Sequence, residues 1–264
     1  MPKSNYPKFR ILIFPLLLLV VACFMFAAPA ADFLHNKKSD TAIAVKDSVR
    51  NTNAPDSINR FSVLYDQMNL DSLGLSKEAF TYGMQGYKDL VSNGAVSNNI
   101  LSIADFSLPS SKKRLFIIDV MSGKLLFNTF VSHGRNSGQE MATQFSNDVN
   151  SFKSSLGFYV TGSTYSGEHG YSLRLEGKEA GINDNAYDRS IVMHAANYVN
   201  ERVIKMKGFI GRSLGCPALP PSLNKAIINT IKDGSCLFLF SPDSFYITHS
   251  RLINQPVMQQ PVTS

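Results

Sequence analysis

The run Cys236-Leu237-Phe238-Leu239-Phe240, closed by Pro242, narrows the folds open to this chain more than any other stretch. Five consecutive apolar residues have no polar face to offer to water. So short a run, rich in aromatics and bounded by turn residues, reads as a strand covered on both sides. Such a strand needs partners. Leu115 to Val120 and Leu125 to Val131 are β-rich runs joined by Met121-Ser122-Gly123-Lys124, a hairpin signal. Leu156 to Val160 reads as a further strand, and Ser190 to Met193 as a short one leading into His194. Helical spacing appears in three places. Ile58, Phe61, Tyr65 and Met68 recur behind Asp56-Ser57, and Phe80, Met84, Tyr87 and Val91 share a face between Ser76 and the stop Asn93-Gly94. Leu223, Ile227 and Ile231 form a third face, with Ser222 as its N-cap and Asp233-Gly234 as its end. The pattern predicts an α+β chain, mainly β with a few helices. A helical preface is expected at 57–99, a β domain at 100–245 and a tail at 246–264, loose after Ser250. Ser137 to Ser155 reads as a polar loop. Gly162 to Asn185 also reads as a loop, carrying Tyr165, His169 and Tyr171, and loops of this length commonly serve as lids or binding loops.

The first thirty residues have another character. Lys3, Lys8 and Arg10 precede an apolar run from Ile11 to Phe26 and the exit Ala28-Pro29-Ala30, the form of a secretory signal over 1–30. Two other readings keep the chain on a membrane: an uncleaved signal anchor, or lipidation of Cys23 within Val20-Val21-Ala22-Cys23. All three place the chain outside the cytoplasm, in the cell envelope or periplasm. Residues 31–56 are polar and aperiodic and read as a tether. The net charge of +6 and a pI of about 9.2 favour an anionic partner. The basic residues are dispersed, with no stripe interleaved with aromatics, so nucleic acid is not the expected partner.

Two cysteines remain if the signal is cleaved, and their settings differ. Cys236 lies in the apolar run, where a free cysteine behaves as a small hydrophobe. Cys216, in Gly211-Arg212-Ser213-Leu214-Gly215-Cys216-Pro217, sits in a turn whose glycine permits close approach of a ligand and whose adjacent amides can converge on an oxyanion. The residues alone leave three fates open for Cys216: a nucleophile, a disulfide to Cys236, or an inert thiol. A nucleophile needs a base. Of the five histidines, His35 and His249 lie in the tether and tail, His133 ends a strand, His169 lies in the expected lid, and His194 comes off a strand end. A zinc site built from His133, His169 and His194 lacks close ligand pairing. A serine hydrolase lacks the Gly-x-Ser-x-Gly elbow.

Taken in order, Val131-Ser132-x-Gly134, Ser155-Leu156-Gly157-Phe158-Tyr159, the strand closing on His194, and Ser213-x-Gly215-Cys216 resemble the L,D-transpeptidase catalytic domain of bacterial cell walls. The likeness is to the murein branch with a helical preface and a Gly-Cys-Pro-Ala-Leu signature, and covers roughly residues 57–242. The resemblance implies a mostly β domain with cysteine and histidine at one end of a sheet. It implies Cys216 as acyl-accepting nucleophile, His194 as base, and Ser213 and Gly215 as shapers of the turn. The amides of Gly215 and Cys216 become the oxyanion donors, and a backbone carbonyl orients the histidine. The implied substrate is the peptidoglycan stem peptide, with Tyr171, Arg174 and Arg212 as expected contacts and no metal or organic cofactor. The rivals are an L,D-carboxypeptidase with water as acceptor and a non-catalytic envelope-binding module. The chain departs from the family where Leu214 replaces a histidine, Ala218 replaces Asn or Arg, and Ala195 replaces the glycine after the histidine.

Overall fold

The structure, a computed structural model, describes residues 55–254. The expected signal, Cys23, nearly all of the tether and the last ten residues lie outside the described residues. Two helices come first, α1 (Pro55–Gln67) and α2 (Lys77–Ser92). The strands β1 (Ile100–Asp105), β2 (Leu115–Asp119), β3 (Lys124–Thr129), β4 (Gly157–Gly167), β5 (Gly170–Gly177) and β6 (Val192–Ala195) follow. The chain then runs through α3 (Glu201–Lys207), β7 (Ala218–Leu219), α4 (Pro221–Ile231), β8 (Cys236–Phe240), α5 (Ser244–His249) and α6 (Arg251–Asn254). This is the α+β class predicted. The eight strands form one mixed sheet in the order β3-β2-β1-β8-β4-β5-β6-β7.

The apolar run 236–240 occupies an inner position, β8, parallel to β1 and antiparallel to β4. All five of its residues are buried, as a strand without a polar side must be. Phe158 of β4 stacks on Phe238 with ring centroids 4.1 Å apart. The helix α2 lies against this pair, and two glycines one turn apart let it approach. A Cβ on Gly86 would fall 2.2 Å from Phe158 Cζ, and one on Gly83 would fall 3.0 Å from Ile103 Cδ1. The predicted face of α2 is buried at Phe80, Met84 and Tyr87, but Leu90 takes the place expected for Val91, which is 43% exposed. The N-cap of α2 is Ser76, whose hydroxyl accepts from the Ala79 amide at 3.1 Å. Both helices share one core with the strands.

Three expectations change. The stretch 162–185 is not mainly a loop: β4 and β5 form a hairpin through Gly167, with Glu168-His169 at its tip. Its outer half buries little, and its Gly, Ser and Thr residues hide the strand period. The chain after Ser250 is not loose within the described residues. α6 buries Ile253, whose carbonyl accepts from Gln85 Nε2 of α2 at 2.9 Å. Finally, α4 begins at Pro221 with Pro220 at its N-cap, so Ser222 lies inside the helix. The loop 137–155 holds no helix or strand, as expected.

Candidate active site

The segment Ser213–Leu219 runs between two supports. On one side the Ser213 amide donates to His133 O at 3.0 Å, Arg135 N to Ser213 O at 2.8 Å and Ser132 N to Ala218 O at 2.9 Å. On the other, β7 pairs in parallel with β6, placing His194 opposite Ala218 and Ala195 opposite Leu219. Cys216 lies just upstream of this pairing, on a turn that only glycine can make. Gly215 has φ +125°, and a Cβ there would meet Lys153 O at 2.9 Å and Ile191 Cδ1 at 3.0 Å. The Ser213 hydroxyl closes the turn by accepting from the Gly215 amide at 3.0 Å and donating to Cys216 O at 2.6 Å. One expectation is thereby corrected, because the Gly215 amide is engaged inside the turn. The Cys216 amide has no partner among the described residues and remains the available donor.

Cys216 and His194 both line an open cleft of about 870 Å³. Its walls include Ser213, Leu214 and Arg212 on the cysteine side, and Tyr165, Glu168 and His169 from the β4–β5 hairpin. His194 Nδ1 lies 2.8 Å from Ala195 O. A carbonyl only accepts, so the proton sits on Nδ1 and Nε2 carries the free lone pair. The His169 ring stacks on His194 with centroids 4.3 Å apart, so the tip of the hairpin covers the expected base. Burial pushes the His194 pKa below its ordinary value, which the Ala195 carbonyl opposes and the charge of His169 reinforces. The Cys216 thiol is half-buried and donates a long hydrogen bond to Ser190 O at 3.8 Å. Burial pushes this thiol up, against the Val192 amide and the Arg189 guanidinium, which favour the thiolate. At neutral pH the pair therefore rests as thiol and imidazole.

The other sequence candidates separate. Arg212 lines the cleft but turns its Nη1 to Arg135 O and Gly138 O, at 3.2 and 2.9 Å. Tyr171 and Arg174 do not line it: Tyr171 donates to Asn229 Oδ1 of α4 at 2.8 Å, and Arg174 lies over the Tyr165 ring, 4.8 Å from its centroid. His133 is buried beside Arg114, with Nη2 2.7 Å from its Nδ1, away from His169 and His194. No cluster of three metal-ligating side chains occurs among the described residues. Cys216 and Cys236 are both free. Sequence reasoning missed Arg189 and the covering role of His169. Nothing in the sequence sets Arg189 apart from the other dispersed basic residues, and His169 reaches His194 only through a hairpin that the composition conceals.

A family model described as the L,D-transpeptidase catalytic domain matches residues 71–240. The chain belongs to that family. Its match begins inside the expected helical preface, so α2 is part of the family's domain. Among solved structures, the chain is similar to an L,D-transpeptidase from Mycobacterium smegmatis, at 13% identity and a TM-score of 0.34, over 54% of this chain and 59% of that one. An L,D-transpeptidase from Stackebrandtia nassauensis aligns at 13% identity and a TM-score of 0.33, over 72% and 80% of the two chains. L,D-transpeptidase 3 from Mycobacterium tuberculosis aligns at 12% and 0.34, over 54% and 61%. The chain thus spans 59% of the length of the first of these. No curated protein matches the sequence.

Proposed function

We propose that the protein is an exported peptidoglycan L,D-transpeptidase that works through a thioester on Cys216, with His194 as its base. The observation that carries this reading is the shared cleft, into which both residues open, together with the Ala195 carbonyl that leaves His194 Nε2 ready to accept a proton. As Sγ bonds to the carbonyl carbon of the L-centre residue of a stem tetrapeptide, the thiol proton passes to His194 Nε2. The oxyanion accepts a hydrogen bond from the Cys216 amide. Collapse breaks the amide bond, and the imidazolium returns its proton to the departing amine of D-alanine. An amine of a second stem then attacks the thioester, its proton passes to His194, and the thiol is regenerated as the crosslink forms. Because thiol and imidazole both rest neutral, proton transfer accompanies attack rather than preceding it.

Arg212, an exposed cation lining the cleft, is the proposed partner of a stem carboxylate. Tyr171 and Arg174 have no part in this reading, since neither lines the cleft. Export by residues 1–30, by cleavage, anchoring or lipidation at Cys23, places the enzyme where its substrate lies. Among the described residues no helix is long and apolar enough to cross a membrane.

Purified protein incubated with muropeptides and read by mass spectrometry tests the reading. Crosslinked dimers with released D-alanine are expected, and the intact protein should carry a tripeptide adduct on Cys216. C216S should abolish both, and H194Q should slow them by about 10²–10⁴-fold. Trimmed monomers without dimers would make the enzyme an L,D-carboxypeptidase. Dimer formation that survives C216S would sink the mechanism.

A further inference from the structure

Arg189 stands in the polar segment between the short 3-10 turn Asp184–Ala186 and β6, and its guanidinium is bound entirely to neutral oxygens. Nη1 donates to Ser146 O at 2.9 Å and to the Ser155 hydroxyl; Nη2 donates to Lys153 O at 2.5 Å and to Ser151 Oγ at 3.2 Å. These bonds tie four residues of the loop 137–155 to one side chain. The charge itself is left unmatched, since no carboxylate lies within ion-pair distance of Arg189 among the described residues. A half-buried guanidinium in that state favours any negative charge that forms beside it.

Such a charge forms next door. Nη2 lies 3.3 Å from the point a Gly215 Cβ would occupy, so the guanidinium packs under the turn that carries Cys216. Lys153 O, which accepts from Nη2, presses on the same point at 2.9 Å. The next residue, Ser190, takes a left-handed φ of +52°, and its carbonyl lies 3.8 Å from Cys216 Sγ. Arg189 and Cys216 both line the cleft.

The other ionisable groups around Cys216 carry no competing charge into that spot. Burial pushes the phenols of Tyr159 and Tyr198 up, so both are neutral, and burial pushes His194 down. Arg212 is exposed and turned to the carbonyls of Arg135 and Gly138. His169 stacks on His194, and Glu168 stands at the exposed hairpin tip. Asp148 is exposed, and its charge acts on Arg189 only from beyond ion-pair distance.

We infer that Arg189 is a positioning residue for Cys216: its unmatched charge favours the thiolate, and its donors clamp the loop 137–155 under the Gly215 turn. The inference rests on the nucleophile reading above, but its test needs no turnover. Alkylation of Cys216 by iodoacetamide, followed by peptide mass across a pH series on the full chain, reads the thiol directly. R189Q, a neutral group that keeps hydrogen-bonding capacity, should raise the alkylation midpoint by about one pH unit and slow labelling about tenfold at neutral pH. R189K should leave the midpoint within about 0.3 unit, because the charge remains. An unchanged midpoint in folded R189Q would overturn the inference. If R189Q does not fold, R189M, which keeps the length of the side chain and removes the charge, is labelled instead: a midpoint raised by about one unit supports the inference, and a midpoint at the wild-type value overturns it. Activity surviving C216S would remove the nucleophile reading and leave this measurement intact, so the two failures are distinguishable.

Discussion

Cys236 and Cys216 occupy opposite kinds of place in one sheet, and a histidine accompanies each contrast. Cys236 opens β8, between β1 and β4, with Leu101 and Val160 as its strand neighbours and no exposed surface. Cys216 sits on a turn just outside the β6–β7 edge, half-exposed in a cleft, near an unmatched guanidinium. His133 is sealed against Arg114, its Nδ1 accepting from Nη2, and burial with that charge pushes its pKa down to about 3. His194 is also buried, yet its Nε2 is free and its ring edge reaches the cleft. Burial shifts all four groups toward their neutral forms. What separates the proposed catalytic pair from the sealed pair is access, together with one cation outside any ion pair and one amide without a partner among the described residues. Perturbation alone does not mark a site.

The sharpest way to break this contrast is to label native protein with iodoacetamide. Reaction at Cys236 requires opening of the sheet, at a cost of about 5–15 kcal/mol, so it should react at least about 10³-fold more slowly than Cys216. After denaturation the two thiols should react alike. Equal native rates would erase the distinction, and denatured oxidised protein without free thiols would mean a disulfide instead.

A smaller effect separates the same two positions in stability. Cys236→Ser buries a hydroxyl among apolar side chains and should cost about 1–3 kcal/mol in urea unfolding. Cys216→Ser, half-exposed, should cost under about 1 kcal/mol. A reversed order would place the core elsewhere.

A third test concerns the histidines. The folded protein holds His133 neutral down to a pKa of about 3, whereas the unfolded chain protonates near 6.5. The unfolded state then binds more protons as pH falls, so the stability that His133 contributes is present above 6.5 and lost toward 3. Its slope is at most about 1.4 kcal/mol per pH unit. The difference in unfolding free energy between wild type and H133Q should therefore shrink as pH falls through that window. A difference independent of pH would show that His133 titrates freely in the fold.

The elements readable from sequence are those whose period arises from a single buried face or a local turn. The β2–β3 hairpin announces itself through Gly123, which takes φ +61°, and Asp119, whose Oδ1 accepts from the Met121 and Ser122 amides. The helix α2 follows from its cap, its stripe and its stop. The parts that escaped are set by distant partners or by exposure. α3 buries no residue, so it has no stripe to detect, and only Asn200 and Gly208 mark its ends. The outer half of the β4–β5 hairpin is largely exposed and is held by strand pairing and by contacts to residues distant in sequence, His169 on His194 and Tyr171 on Asn229. Arg189 acquires meaning only through oxygens more than thirty positions upstream, contributed by Ser146, Ser151, Lys153 and Ser155. The turn between Ser213 and Gly215, and the placing of Cys216 and His194 at one cleft, were legible because local chemistry constrains them. The surroundings that tune them were not.

The position of β8 carries a consequence for assembly. This strand separates the sheet into β3-β2-β1 and β4-β5-β6-β7, and it is the last of the eight to be made. Until it arrives, β1 and β4 each present a bare edge with unpaired amides and carbonyls, the kind of edge that invites pairing with other chains. The contact between Leu101 and Cys236 spans much of the domain, so the closing event is non-local and correspondingly slow. One short apolar strand both completes the interior and seals two aggregation-prone edges. A chain truncated before Cys236 would lose far more than five residues of structure, because it would never become a single sheet.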